Sequence, residues 1–247
     1  MSNLTYNLAQ KIRWFRLLAH SRSSKLNEEV ALNILDKLPT KSPVIFDIGA
    51  NIGLFIKAFN KSPHKPKLIF AFEPSSYVYS ILKLTASRFK NVQCFKMAFD
   101  STNGTTTLNM PLKKSGSIRV GLSHIGEVSE GDYLQESVET KLLDDFAEEM
   151  KCDAIDLIKI DVEGAEFEIL KGANRILTEF RPFWFVEVSE SKGRFNNSGN
   201  DTFKKFMDAN YAAFYFNEQG EWIAIQDYDG ANDFLFVPRE MLKNFNI

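Results

Sequence analysis

The sequence predicts an α/β protein built on a parallel β-sheet, and three observations carry the prediction. Short apolar runs alternate with segments of helical periodicity from Val44 to about Leu177, as in strands buried on both faces and joined by crossover helices. The first run, Val44-Ile45-Phe46-Asp47-Ile48, leads into the turn Gly49-Ala50-Asn51-Ile52-Gly53 and then a helix near 52–60. Later runs end, as this one does, in a carboxylate: Glu73, Asp161 and Glu187.

Residues 1–40 read as a helical lead-in and 41–247 as the main domain, divided by Pro39-Thr40-Lys41-Ser42-Pro43. Leu8, Ile12, Phe15, Leu18 and Ala19 recur at helical spacing, as do Val30, Leu32, Ile34, Leu35 and Leu38. Lys11, Arg13, Arg16, Arg22 and Lys25 occur with no acidic residue among them and with Trp14 alongside. That segment suits a membrane-surface, lipid-linked glycan or other polyanion contact, or the solvated face of a packed helix.

After the glycine turn come strand Leu68–Glu73, a helix near 75–89 opened by Pro74-Ser75, and strand Val92–Phe99. Asn103-Gly104 marks a turn, and Thr105–Met110 has strand character. Residues 111–137 are polar, with Gly116, Gly121, Gly126 and Gly131, and read as an irregular loop over the active site. His124 lies in it, as an acid or base or simply as an exposed side chain. Order returns at Val138–Phe146, followed by strand Ala154–Asp161, a helix to about Leu177 and strand Pro182–Val188. Ser189–Asn200 is a polar loop, Phe203–Asp208 is helical, Tyr211–Phe216 and Trp222–Ile225 form a hairpin around Gly220, and Asp233–Val237 closes the sheet.

Composition narrows the function. The 247 residues fit one decorated α/β domain, and a net charge of -2 removes any global electrostatic case for nucleic acid. Cys94 and Cys152 are too few for a disulfide framework or a metal cluster and read as buried free thiols. The absence of a leader-like or bilayer-length apolar run implies a cytoplasmic protein.

In a parallel sheet the tips carrying Asp47, Glu73, Asp161 and Glu187 point to one edge, where ligands of open α/β sheets bind. The turn departs from the dinucleotide pattern, with Gly49, Asn51 and Leu54 at its three glycine positions, and Asp47 would repel a pyrophosphate. A carboxylate at the second strand's tip can accept both hydrogen bonds of a ribose diol. Two acids without a phosphate cradle fit S-adenosylmethionine, which carries a ribose, an ammonium and a sulfonium.

Asp47-Ile-Gly-Ala-Asn-Ile-Gly53, Phe72-Glu-Pro74, Val138–Phe146, Leu157–Glu166, Lys171-Gly-Ala173 and Asn232–Pro238 together resemble the FkbM family of S-adenosylmethionine-dependent methyltransferases. The resemblance runs from Val44 to Pro238, with Lys159-Ile-Asp-Val-Glu-Gly-Ala-Glu166 its specific part. It implies a Rossmann-like class I methyltransferase fold, with a seven-stranded sheet whose last strand is antiparallel. It also implies methyl transfer to a hydroxyl of a sugar, glycan or related small molecule. Carried over, Asp47, Gly49, Asn51 and Gly53 line the methionine part of the cofactor, Glu73 holds the ribose, and Phe99 and Asp100 lie near adenine. No metal is required.

A sugar hydroxyl is a poor nucleophile while protonated, so a base should assist its alignment with the methyl. Asp161 is the first candidate and Glu163 the second, the crowding of acids being expected to raise their pKa. Lys159, on the same side of the strand, would steer Asp161 or bind a substrate oxygen, and Glu187 would bind a hydroxyl or support the others. Helix N-terminal stabilisation is the alternative role for Glu163 and Glu166. Nitrogen or carboxyl methylation, and a cofactor-binding partner protein without turnover, are the competing functions.

Overall fold

A computed structural model describes residues 10–11, 13–14, 16–17, 25–125, 131–188, 198–228, 230 and 233–245. Helix α1 (Lys25–Lys37) precedes β1 (Val44–Ile48), α2 (Leu54–Lys61), β2 (Leu68–Phe72), α3 (Ser76–Ala86) and β3 (Val92–Phe95). The three strands pair in parallel, Ile48 opposite Phe72 and Phe72 opposite Phe95. The run expected as one strand to Phe99 breaks at Lys96-Met97, and its end, β4 (Ala98–Phe99), belongs to a second sheet. Lys96 marks the break, its ammonium 3.0 Å from both Ser76 Oγ and the Glu136 carboxylate.

That second sheet contains β5 (Gly104–Pro111), β6 (His124–Ile125) and β7 (Tyr133–Lys141), in the order β4-β7-β5-β6. The two ends of the stretch expected as an irregular loop over 111–137 are therefore strand, with β5 and β7 paired from Gly104↔Thr140 to Pro111↔Tyr133, while residues 126–130 lie outside the described residues. Glu136, Val138 and Thr140 alternate inward on β7, and two of these three buried residues are polar. That choice hides a two-residue hydrophobic period. Glu136 accepts the backbone N–H of Ser76 at 3.0 Å, tying the second sheet to the start of α3.

The chain continues through α4 (Leu143–Glu149), β8 (Leu157–Ile160), α5 (Glu166–Lys171), a π turn (Ile176–Phe180) and β9 (Phe183–Glu187). The helix expected to run to Leu177 is thus two short pieces. Then follow α6 (Gly199–Asp208), β10 (Tyr211–Phe216), β11 (Trp222–Ile225), β12 (Asp233–Pro238) and a 3-10 turn, Arg239–Phe245. Ser198 caps α6 in a reciprocal capping box with Asp201, so the end of the expected polar loop belongs to the helix; residues 189–197 lie outside the described residues.

The main sheet has the order β11-β10-β12-β9-β8-β1-β2-β3. β12 runs antiparallel to both β9 and β10, as expected of the closing strand, and β11 adds an eighth strand to the expected seven. The buried-on-both-faces pattern of β8, Leu157 to Ile160, even encloses Lys159.

The lead-in shares this core. Val30, Ala31, Ile34, Leu35 and Leu38 pack in one cluster with Ile56, Ala58 and Phe59 of α2. Gln10, Lys11, Arg13, Trp14, Arg16 and Leu17 are helical; the Tyr77 hydroxyl donates to the Gln10 carbonyl at 2.5 Å and Trp14 Nε1 to Ser80 Oγ at 2.6 Å. Leu8, Ile12, Phe15, Leu18, Ala19 and Arg22 lie outside the described residues.

Beneath the tips of β1 and β2 lies an aromatic cluster centred on Phe146, whose ring meets those of Phe46, Phe70, Phe72, Phe95 and Phe99 at 4.9–5.9 Å between centroids. Phe146 is 3% exposed, so truncation leaves a cavity that five rings cannot all move to fill. Phe146→Ala should lower unfolding free energy by about 3–5 kcal/mol. Urea denaturation that moved by less than about 1 kcal/mol would show that the cluster relaxes freely.

Candidate active site

Register decides which side chains meet at the sheet edge. Ile48 is level with Phe72 and Ile160, and Ile160 with Val186, so the next row contains Gly49, Glu73, Asp161 and Glu187. Asp47 is not in that row. It lies inside β1, level with Ala71 and Lys159, and has 0% exposure.

The glycines make room for protein. A Cβ on Gly49, whose φ is +73°, would lie 1.9 Å from the Asp161 carbonyl oxygen. A Cβ on Gly53, at φ +84°, would lie 2.9 Å from Thr85 Cγ2 of α3. The first lets the β1 turn cross close to the tip of β8, and the second seats α2 against α3. Asn51 also takes a left-handed conformation, φ 51°, which an asparagine tolerates better than most side chains.

Lys159 organises the charges. Its ammonium is 3.1 Å from the Gly49 carbonyl, 3.1 Å from Asp161 Oδ2 and 3.3 Å from Asp47 Oδ1, with the Phe55 ring 5.2 Å away. Burial alone would lower the Lys159 pKa, but Asp161 and Asp47 outweigh it and keep the ammonium charged. Burial pushes the Asp47 carboxyl up, with Lys159 opposing. Burial also favours protonated Asp161, yet the Lys159 charge and hydrogen bonds from Glu187 and Lys159 hold it below the ordinary carboxylate range. The expected upward shift of Asp161 is therefore reversed. It falls instead on Glu187, which burial and then the Asp161 charge raise to about 8. At neutral pH one proton sits on Glu187 and is shared with ionised Asp161. Asp233, opposite Glu187 in the β12–β9 register, is raised by burial and then by Asp161.

Above this row opens a cavity of about 700 Å³, counting the space at its mouth. Gly49, Asn51, Glu73, Asp161 and Glu163 form its sheet edge, Phe72, Met97 and Phe99 its floor, and Leu108, His124 and Ile125 of the second sheet, with Gly121 and Ser123 just before β6, its cover. Glu73 is 7% exposed and raised by burial to about 7, against hydrogen bonds from the Ser75 and Asn51 backbone. Asn51 Oδ1 and Ser123 Oγ are buried with no hydrogen-bond partner among the described residues. Buried polar atoms are ordinarily paired, so both suit a ligand that brings hydrogen-bond partners. A second cavity is lined by Phe55, Phe185, Phe216, Lys159, Glu187 and Asp233, and a third by Leu17, Phe55, Val120, Asn51 and Lys159; Asp161 borders all three.

Of the residues anticipated for the cofactor, Gly49, Asn51, Glu73 and Phe99 line the first cavity, whereas Asp47, Gly53 and Asp100 do not. Asp100 turns to its own neighbour, its Oδ1 accepting the Ser101 N–H at 2.7 Å. Asp161 and Glu163 border the first cavity, and Lys159 and Glu187 the second. Glu163 stands at φ 54°, while Glu166 is 1% exposed and accepts the Gly164 N–H at 2.9 Å, stitching the turn into α5. His124 is 6% exposed, with Nδ1 3.2 Å from the Leu122 carbonyl, and forms part of the cavity wall. Among the described residues no group of three or more His, Cys, Asp or Glu side chains is arranged to hold a metal ion. Sequence reasoning missed Ser123 and Asp233. Nothing local marks Ser123, but Asp233 opens the closing strand and, by alternation, faces the way Leu235 does.

The profile described as "Methyltransferase FkbM domain" matches residues 47–231. The 2-O-methyltransferase NoeI of Sinorhizobium fredii is 30% identical over 201 residues, which cover 76% of this chain and 80% of that one. Methyltransferase sdnD of Sordaria araneosa is 30% identical over 178 residues, 62% of this chain and 68% of that one. The crystal structure of methyltransferase FkbM from Methylobacillus flagellatus superposes with a TM-score of 0.52 at 14% identity, over 92% of this chain and 58% of that one. This chain thus spans less than two thirds of that protein, and the likeness bears on the fold. With the profile covering the glycine turn, the acidic row and the second sheet together, the chain belongs to the FkbM family of S-adenosylmethionine-dependent methyltransferases.

Proposed function

We propose that the protein methylates a hydroxyl of a sugar-like acceptor, with Asp161 at the meeting point of donor and acceptor. The observation that carries this reading is that Asp161 borders both the cavity under the second sheet and the aromatic-walled one beside Lys159. S-adenosylmethionine is the methyl donor and supplies an electrophilic methyl on its sulfonium. Asn51 Oδ1 and Ser123 Oγ offer unpaired polar atoms to it, Glu73 an acceptor for its ribose, and Phe72 and Phe99 an apolar floor for its base.

The acceptor lies in the neighbouring cavity. Phe55, Phe185 and Phe216 offer ring faces to the apolar side of a sugar, and Glu187 and Asp233 accept from its hydroxyls. That the NoeI relative is a 2-O-methyltransferase supports oxygen as the target atom. Asp161 orients the reacting hydroxyl, and its proton passes to the Asp161–Glu187 pair as the oxygen–methyl bond forms. The pair holds one proton already near pH 7, so it accepts another best once Glu187 is ionised. Lys159 stays charged throughout and keeps Asp161 fixed. Asp47 lies behind it and holds the lysine from below.

Asp161→Asn should retain S-adenosylmethionine affinity within about threefold and lose turnover by about a hundredfold or more; undiminished turnover would move the base elsewhere. Glu73→Gln should weaken cofactor binding by about three- to tenfold in calorimetry, the worth of one hydrogen bond to a carboxyl that is half protonated near pH 7. Wild-type turnover should rise with pH to a plateau above about 8, the value to which Glu187 is raised. Glu187→Gln should remove that inflection.

The same proton affects stability. Glu187 and Glu73 keep protons that the unfolded chain releases at ordinary carboxyl values, so the folded state binds more protons between those values and about 8 or 7. The contribution of these two groups to the stability of the free protein is fully present below the unfolded pKa and is lost as pH rises to about 8. Replacing Glu187 with Gln should therefore flatten the fall of the thermal midpoint between about pH 6 and 8. A midpoint that fell as steeply in the variant would contradict the assignment.

A further inference from the structure

We propose that the acceptor bears a phosphate or diphosphate, gripped by Arg13, Lys113 and Arg119 in a groove that adjoins the third cavity, which in turn shares Phe55, Lys159 and Asp161 with the acceptor cavity. This deepens the proposed methyl transfer and rests on that reading. The three cations line one open groove together with Val120 and Leu122. Val120 also lines the third cavity, with Gly49, Asn51, Lys159 and Asp161, so the groove and the reaction centre share a wall.

The placement is fixed by structure. Lys113 and Arg119 sit on one tight hairpin, where Leu112 bridges Ile118, the Lys113 N–H donates to the Ser117 carbonyl at 2.8 Å and the Arg119 N–H to the Pro111 carbonyl at 2.8 Å. Ile118, fully buried, anchors that hairpin. Arg13 comes from the lead-in helix, which Trp14 and Tyr77 pin to α3. Two residues beyond Arg119, a Cβ on Gly121 would lie 3.7 Å from Asn51 Nδ2, and two residues span at most about 7 Å. The hairpin that carries Lys113 and Arg119 therefore runs on directly to the Asn51 side of the site.

The electrostatics favour a multiply charged oxyanion. No carboxylate among the described residues forms an ion pair with Arg13, Lys113 or Arg119. Arg13 Nε is also buried without a hydrogen-bond partner. Three like charges held together repel unless a counter-charge joins them, and arginine forks match phosphate oxygens in geometry as well as charge. The basic segment noted in the sequence thereby gains a specific task for Arg13. A soluble sugar phosphate and a lipid-linked sugar diphosphate present the same group.

The test uses the full chain, with inorganic pyrophosphate as probe and S-adenosylmethionine binding measured in the same calorimeter. Pyrophosphate should bind in a salt-sensitive way, and the surface double variant Lys113→Ala/Arg119→Ala should weaken it by about tenfold while leaving S-adenosylmethionine affinity unchanged. Arg13→Gln should weaken it independently. Phosphatidylcholine vesicles with and without phosphatidate form a second arm. Binding to phosphatidate vesicles without pyrophosphate binding would replace the subsite with a membrane-surface patch. Absent pyrophosphate binding, or binding indifferent to the double variant, would overturn the subsite. Loss of S-adenosylmethionine binding by the unaltered protein would instead sink the methyltransferase reading.

Discussion

The buried ammonium of Lys159 is the constraint on which the site depends. A lone cation at 3% exposure would be strongly unfavourable, and it is tolerated because Asp47, Asp161 and the Gly49 carbonyl surround it. The three partners come from two adjacent strands and the turn after one of them, so the ion cluster also ties the tip of β1 to the tip of β8. Removing Lys159 would leave the Asp47 and Asp161 carboxylates side by side without a counter-charge. The cluster consequently fixes where Asp161 points, and Asp161 borders every cavity at this edge.

The same cluster divides labour among the acids. A single ammonium cannot neutralise both neighbouring carboxylates and a third beyond them. Asp161, closest to the lysine, stays ionised, and Glu187 holds the proton that crowding forces on the group. Environment, not residue type, separates a charged orienting acid from a protonated neighbour.

The second sheet turns an open edge into a cavity. A Rossmann-like sheet leaves its strand tips facing solvent, and here β5 and β6 supply Leu108, His124 and Ile125 as a cover. Glu136 and Lys96 bind this cover to the start of α3, the helix that follows Glu73. The aromatic cluster around Phe146 gives the cavity a stiff floor shared by β2, β4 and α4.

How far the sequence could be read followed from the range of the interactions involved. Apolar runs, the glycine turn and acids at strand ends are local, so they gave the parallel sheet, the closing strand and the row holding Glu73, Asp161 and Glu187. Thr105–Met110 was legible as strand, but its partner β7 was not, because β7 buries Glu136, whose inward direction is justified only by Ser76 and Lys96 on distant elements. The burial of Asp47 one row back from the edge, and the exchange of pKa shifts between Asp161 and Glu187, were equally hidden. By itself the chain determined the parallel sheet and the acids Glu73, Asp161 and Glu187 at its edge, through periodicities that each strand and helix carries alone. Only the tertiary structure decided which acid meets Lys159, which faces the cavity and which keeps the proton, because those outcomes depend on strand register and on charge–charge distances across the sheet.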